Sequence, residues 1–479
     1  MLTNLTVATE LFHAADETAF ADIMIEGHRE TWPIRSSRFR LWLRRKYYEA
    51  TGEAPSTGEV NSALNLLEAR AQFDGPTRAV HMRVAEHQGH VYLDLTDEHW
   101  RAVEIGPEGW QVIPCPPVRF RRTPGMLPLP VPARGGSIET LASFCNIPSR
   151  SDFVLVVSWL LAALRYGGPS SILALSGEQG SAKTVLSKML RALIDPNVAP
   201  VRSAPREERD LFIAANNGHL LAFDNLSDLP AWTSDALCRL ASGGSFAVRR
   251  LYTDQDETLF QAARPVILNG IEDVITRPDL ADRAILVALP HIPEHRRRPE
   301  KEVWHDFEKR RPQVLGALLD TASHGLRTLP NIRLEQLPRM ADFAYWASAC
   351  ETVICSGGGF LQAYRANRRT AIEDVVEADP VAARIRELMA KRALWAGSAS
   401  DLLRMGATEP LSAGLGWPKS PRALAGCLRR AQTPLRALGI EMTFARAGHA
   451  GTRTITLRAP KPTRTVSTGM PARGSASAP

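Results

Sequence analysis

What this chain has little of narrows the field first. Its longest apolar run, Phe153 to Leu164, is broken by Ser158 and closed by Arg165, well short of the ~20 residues a membrane span needs. It reads as a buried helix. The first eight residues carry no basic region followed by an apolar stretch, so no secretory signal is expected, no membrane partner either, and the cytoplasm is the default compartment. Cysteine is scarce. The six residues Cys115, Cys145, Cys238, Cys350, Cys355 and Cys427 form no CxxC unit and have no histidine at zinc-ligand spacing, so all six are expected to be reduced and structural. Acidic residues are scarce towards the end: from Lys419 onward eleven Lys and Arg face a single acid, Glu441. The overall charge of +7 therefore belongs to the C-terminal end, and the residues before it are slightly acidic. Such a positive pole is the electrostatic footprint of a nucleic-acid partner, with a solvated basic tail as the alternative.

With 44% hydrophobic and 23% charged residues over 479 positions, most of the chain should fold, into two to four domains at roughly 100 to 200 residues each. Residues 1–125 read as an N-terminal α+β domain. Its helix, near Ser37 to Ala50, places Phe39, Trp42, Leu43 and Tyr47 on one face. Strand-like runs follow at Val80 to Ala85, His90 to Leu95 and Trp110 to Ile113, and the proline-rich stretch Pro114 to Pro132 reads as a linker. Over residues 135–330 short apolar strands alternate with helices, the pattern of an α/β core around a parallel sheet. The strands expected there are Ile172 to Leu175, His219 to Phe223, Val266 to Leu268 and Ala284 to Ala288. A mainly helical lid or connector is expected at 331–378.

The last folded unit, 379–458, opens at Asp379-Pro380, a helix cap followed by proline at the first helical position. Three helices and a hairpin (Ile440 to Phe444, Thr452 to Leu457) give the order of a winged-helix-like domain. From 459 to 479 the composition predicts a disordered basic tail.

The chemistry concentrates in the core. Gly177-Glu178-Gln179-Gly180-Ser181-Ala182-Lys183-Thr184 follows a strand and opens an amphipathic helix, the context a phosphate-binding P-loop requires. Backbone N–H groups of such a loop converge on phosphate oxygens, and the helix N-terminus adds a favourable dipole. Lys183 is placed to reach the β- and γ-phosphates of ATP, and the Thr184 hydroxyl to hold Mg²⁺. Ala182 stands where the motif expects glycine, and a positive φ there would be penalised. Asp224, ending the second strand, is the other candidate for the metal. Asn225 follows it, where many ATPases place a carboxylate; it can orient a water but cannot take its proton. Asn269 ends a third strand, suitably placed to sense the γ-phosphate. A hairpin from Ser245 to Phe260 carries Arg249 and Arg250. Arg283, before the strand Ala284 to Ala288, is a candidate arginine finger for a neighbouring subunit, with Arg277 as competitor.

GEQGSAKT, LLAFDN, GGSFAVRRLYTDQDE and VILNG occur in the order found in the superfamily 3 helicases of viruses and mobile elements within the AAA+ class, and residues 135–330 resemble the phage- and plasmid-type primase-helicases. The resemblance implies an AAA+ P-loop NTPase core, a homohexameric ring, and central hairpins, here with Arg249 and Arg250, that grip single-stranded DNA while ATP hydrolysis drives translocation, alongside replication partner proteins. Departures from the family pattern are Ala182 and Asn225, which bear on turnover. Asp94 and Asp97, the nearest approach to a primase metal site, lie three apart and fit a strand end better. In the C-terminal unit Arg422, Arg429 and Arg430 on a helix, with Arg453 in the hairpin, are candidate contacts to single- or double-stranded DNA. The leading expectation is an ATP-dependent DNA helicase or translocase replicating a mobile element or phage-like genome. A nucleotide-switched DNA-binding initiator or regulator is the second reading, and a soluble kinase using the same loop the third.

Overall fold

The computed structural model describes residues 10–249, 257–261, 263–271, 274–355, 357–407, 417–447 and 452–459. The chain forms a mixed α/β structure in two compact units, residues 1–368 and 369–479. Among the described residues no helix is long and apolar enough to cross a membrane.

The first unit begins with an antiparallel sheet of β1 (Glu10–His13), β2 (Ala19–Ile25) and β3 (His28–Pro33). Helices α1 (Ser37–Thr51) and α2 (Thr57–Phe73) share a core with it through Phe39, Leu43, Leu64 and Leu67. Ser36 caps the start of α1 and Gly52, at φ 73°, ends it, a left-handed position that glycine adopts without penalty. A reciprocal capping box between Ser56 and Glu59 starts α2.

Next come β4 (Val80–His81) and a meander of β5 (Val84–His87), β6 (His90–Asp94), β7 (Ala102–Gly106) and β8 (Gly109–Ile113), then β9 (Arg119–Phe120), which pairs with β4. The proline-rich stretch expected as a linker is instead a bound strap. Leu127 N–H donates to the Pro196 carbonyl, Leu129 N–H to Leu95 and Ala133 N–H to Pro312, and Leu129 is buried. Asp94 and Asp97 serve this region structurally: Arg122 pairs with Asp94 and Arg101 with Asp97.

After α3 (Glu139–Ala142), α4 (Arg150–Ala163) is apolar on every side and buried almost throughout, as a helix crossing a core must be. Around it lie β10 (Ile172–Ser176), α5 (Lys183–Ile194), α6 (Glu208–Asn216), β11 (Leu221–Leu226), α7 (Ala231–Ser242), β12 (Ser245–Arg249), β13 (Glu257–Gln261), β14 (Val266–Gly270), α8 (Pro278–Ala281), β15 (Ala284–Ala288), α9 (Glu300–Thr328), α10 (Ala341–Ile354) and α11 (Gly359–Ala378). The four strands β11-β14-β10-β15 form a wholly parallel sheet. Both its faces are covered, which is why its strands read as nearly unbroken apolar runs. The second strand starts at Leu221, two residues later than the sequence pattern suggests, because His219 and Leu220 donate their N–H groups to the Asp195 carboxylate instead.

Asp195 centres a buried polar knot. Arg83, fully buried at φ 60°, donates Nε to Asp195 at 3.0 Å, and its two other nitrogens reach the Asp94, Leu127 and Pro196 carbonyls and the Thr96 hydroxyl. Burial raises the Asp195 pKa, yet Arg83 and Arg191 together hold it below the ordinary carboxylate range. The knot ties the meander to the end of α5, whose Ala192 carbonyl also accepts from Arg311 of α9.

The second unit contains the C-terminal part of α11, then α12 (Pro380–Ala390), β16 (Leu394–Gly397), α13 (Ala399–Ala407), α14 (Pro421–Ala437), β17 (Glu441–Ala447) and β18 (Thr452–Arg458). Asp379 caps α12 as its sequence suggests. Unexpected from sequence, β16 lies between the first two helices and pairs with β18 in the sheet β16-β18-β17. Residues 460–479, expected to be a disordered tail, lie outside the described residues.

Candidate functional site

Three neighbouring strands of the parallel sheet end at one place. From β10 the chain enters the loop Gly177 to Ala182 and then α5. Gly177 sits at φ 143°, and a Cβ there would fall 2.4 Å from the Leu289 carbonyl oxygen, so only glycine fits. Gly180 also takes a left-handed φ, 81°. Ala182 adopts φ 65°, ψ 26° and gives α5 no side-chain cap. The first N–H groups of α5 are thus left for another acceptor, the arrangement that favours an anion at a helix N-terminus.

The positive φ at Ala182 is the conformation the sequence warned against, and it costs an L-residue about 1–2 kcal/mol. Ala182→Gly is therefore expected to stabilise the protein by about 1 kcal/mol, read as a higher urea midpoint. A lower midpoint would contradict a left-handed backbone at 182.

Lys183 Nζ donates to the carbonyls of Gly177 (2.6 Å) and Glu178 (2.8 Å) and to Ser181 Oγ (3.2 Å). Burial pushes its pKa down while Asp224 pushes it up, and burial prevails. Thr184 Oγ1 lies 3.2 Å from Asp224 Oδ1. Asn269, ending β14 and buried, donates Nδ2 to Asp224 Oδ1 at 2.5 Å and lies 3.4 Å from Thr184 Oγ1. Three of the residues singled out from sequence, Thr184, Asp224 and Asn269, thus come from three separate segments into one hydrogen-bonded group, with Lys183 close enough to feel the Asp224 charge.

The pairing of β11 with β14 shifts register between Phe223 and Leu226. Asp224 and Asn225 occupy that irregularity, a device that re-aims side chains at the ends of strands. Asn225 takes φ 56° and its side chain is exposed; asparagine tolerates this region better than most residues.

Arg283 stands elsewhere. Its carbonyl accepts from Ile172 N–H, so it lies at the N-terminal ends of the strands, on the edge strand's side, and its guanidinium donates to Ser242 Oγ (3.1 Å) and the Asp279 carbonyl (2.6 Å). Arg277 is engaged by Asp235 at 2.9 Å. The expected hairpin is present as β12 and β13 in antiparallel register. Arg249 ends its first strand, and Arg250 lies outside the described residues.

Sequence reasoning missed three side chains near the loop. Asn146 Nδ2 donates to the Ser181 and Pro290 carbonyls. His291 Nδ1 meets the Gln179 carbonyl at 3.2 Å, and Arg297, beside His291, would stand 3.2 Å from a Cβ on Gly180. The run Arg296 to Arg298 just after a core strand was the available signal.

A magnesium ion fits the donor set, since the Thr184 hydroxyl and Asp224 carboxylate are two hard oxygen donors that leave most of an octahedron to phosphate and water. Among the described residues there is no cluster of three His, Cys, Asp or Glu that could hold a metal alone.

In the second unit, Arg422, Arg429 and Arg436 recur every seven residues on the exposed side of α14, opposite the buried Leu424, Leu428, Ala431 and Leu435. Arg429 lies over the Phe444 ring at 5.6 Å. Arg430 and Arg453 are also exposed.

No curated protein matches the chain. Among solved structures it is similar to the A form of the apo NrS-1 C-terminal region, at 11% identity over 96% of this chain and 98% of that one with a TM-score of 0.42. It is also similar to SCCmec type IV Cch, an active helicase, at 12% identity over 94% and 92% with a TM-score of 0.46. Residues 138–375 match the family model of the actinomycete integrative conjugative element replication protein, and residues 381–472 match the C-terminal domain model of the same proteins. The two matches take in about two thirds of the chain, including every residue of the loop and strand ends described above. On this agreement the chain belongs to the replication proteins of actinomycete integrative conjugative elements.

Proposed function

We propose that this replication protein is an ATP-driven DNA translocase or helicase of the AAA+, superfamily 3 type, working as a homohexameric ring. The observation that carries the reading is the meeting of Thr184, Asp224 and Asn269 in one hydrogen-bonded group at the ends of adjacent parallel strands, with Lys183 held on the loop beside them. The free N–H groups at the start of α5 would bind the phosphates, and the Lys183 ammonium would turn from the loop carbonyls to the β- and γ-phosphates. Thr184 and Asp224 would hold Mg²⁺, which when bound neutralises charge on the transferring phosphate. Asn269 would orient the γ-phosphate or its attacking water. Arg249 and Arg250 would grip a single strand from the hairpin. The order α12, β16, α13, α14, β17, β18, with the exposed arginines of α14, supports a winged-helix-like DNA-binding domain.

A specific observation favours a second reading. Asn225 is exposed beside Asp224 and offers no proton acceptor, which suits an initiator or regulator that binds ATP and hydrolyses it poorly. Asp shares asparagine's tolerance of a positive φ and adds the acceptor, and general-base assistance contributes ~10²–10⁴-fold at an ideally placed carboxylate. The shorter Asp is expected to realise only part of this, so Asn225→Asp should raise turnover by about tenfold. The deciding assay is ATP hydrolysis with and without single-stranded DNA on both proteins. DNA-stimulated turnover in the wild type supports the translocase; tight ATP binding with no turnover in either protein establishes the switch instead.

A further inference from the structure

The first 137 residues lie outside both family matches, and α1 within them carries a basic face that the fold does not use. Its inward side is Phe39 and Leu43, with Trp42 and Tyr47 packed at the margin of the core. At 100° per residue, Arg40, Arg44, Tyr48, Leu41 and Arg45 fall in that order across an outward arc of about 140°. Leu41 is 65% and Tyr48 60% exposed.

Five cations share this helix with one acid, Glu49. Glu49 engages Arg45 and Lys46, each at 2.8 Å, and Arg38 pairs with Glu30 at 2.9 Å while lying over the Trp32 ring. Arg40 and Arg44 remain without an ion pair among the described residues, and Arg44 Nε is buried with no hydrogen-bond acceptor. Two physical terms oppose this arrangement. Like charges four residues apart repel along a helix, and cations without an acid in the first turn oppose the helix dipole. Both are relieved by an external anion. Most of the chain before the C-terminal end is slightly acidic, so the face is also a local positive pole.

We propose that α1 is a second DNA contact of this protein and that its ligand is a single strand. Arg40 and Arg44 take the phosphates, and the Tyr48 ring, flanked by the Leu41 side chain, offers a base the flat surface on which single-stranded nucleic acid stacks. A duplex keeps its bases paired and would leave Tyr48 and Leu41 unused, and an acidic protein surface would leave the exposed ring without a role.

The inference rests on the reading of the chain as a DNA-handling protein, and the test separates the two. The full-length protein is titrated with a fluorescein-labelled oligothymidylate at several salt concentrations, and binding is followed by anisotropy. Arg40→Ala combined with Arg44→Ala should weaken binding about tenfold and reduce the slope of log K against log salt by about 1.4, at ~0.7 per single-strand phosphate contact. Tyr48→Ala should weaken binding roughly five- to a hundredfold with the slope unchanged. Arg45→Ala, already paired with Glu49, should change it less than about twofold. Unchanged melting curves show that the variants are folded. If the α1 variants bind like wild type while Arg429→Ala with Arg430→Ala has lost binding, this inference fails and the C-terminal contact stands. Loss confined to a labelled duplex, or a changed oligomeric state with strand binding intact, also overturns it. A wild type that binds no DNA overturns both this inference and the reading beneath it.

Discussion

Mixing two inactive variants, Lys183→Ala and Arg283→Ala, is expected to restore part of the ATPase activity that each has lost alone. Lys183 stands where the parallel strands end and Arg283 where they begin, beside Ile172 at the start of β10. A five-residue strand separates the two positions, about 16 Å at 3.3 Å per residue. No side chain spans that distance to reach its own subunit's phosphates, so Arg283 can assist catalysis only at a neighbour's site. Its contacts with Ser242 and the Asp279 carbonyl hold the side chain at the sheet's margin, where a head-to-tail ring would present it. An arginine finger is worth ~10³–10⁵ in kcat, so Arg283→Ala alone should fall to near-background turnover with ATP binding intact. Lys183→Ala should lose turnover and weaken ATP binding as well. In an equal mixture about a quarter of head-to-tail interfaces join an intact lysine to an intact arginine. Steady-state ATPase across mixing ratios should therefore peak near equality. A flat line at background, or full activity in Arg283→Ala by itself, would sink the intersubunit role.

Removing the carboxylate of Asp195 should strongly destabilise the first unit. That side chain accepts from Arg83 Nε and from the N–H groups of His219 and Leu220, all in the interior. Asp195→Ala leaves a fully buried guanidinium unpaired, and breaking a buried pair this way costs about 3–5 kcal/mol, a large part of the ~5–15 kcal/mol that holds a typical domain. Because the native pKa of Asp195 is depressed, its contribution is present above the unfolded carboxylate pKa and lost as the pH falls through the native value. His219 works in the same direction. Its pKa is lowered to about 4 by burial, so protonation destabilises the fold as the pH drops from 6.5 towards 4. Urea denaturation of Asp195→Ala and wild type at neutral and mildly acidic pH tests this; an unchanged midpoint at neutral pH would show that the knot carries no stability.

The loop, Asp224 and Asn269 were legible in the sequence because phosphate chemistry demands particular residues at fixed spacing beside apolar strands. Their contact could be inferred from the strand ends alone. Sheet β1 to β3 was not legible, since Glu30, Thr31 and Trp32 are all buried in succession and Asp22 hides its charge against Arg119, which erases the alternation that marks a half-buried strand. β16 was missed for its length, four residues with Trp395 alone buried. Asn146 and His291 meet the loop from segments distant along the chain, with no local pattern to announce them, whereas the basic run Arg296 to Arg298 was a signal for Arg297. The proline-rich stretch misled for a related reason: its composition suits a linker, while its hydrogen-bond partners lie well away in sequence.

That strap has a practical consequence for anyone producing the protein in pieces. Gly316 of α9 admits the strap so closely that a Cβ would fall 1.9 Å from the Ala133 carbonyl oxygen. The meander beyond it donates Trp110 Nε1 to Asp320 and accepts from Ser323 at the Gly106 carbonyl. A fragment starting where the family match begins would strip α9 of this cover and open to water the core that the meander's Leu93, Val103 and Trp110 complete. Such a fragment is expected to collect in inclusion bodies, whereas one that retains the strap and meander has the surface of a finished protein.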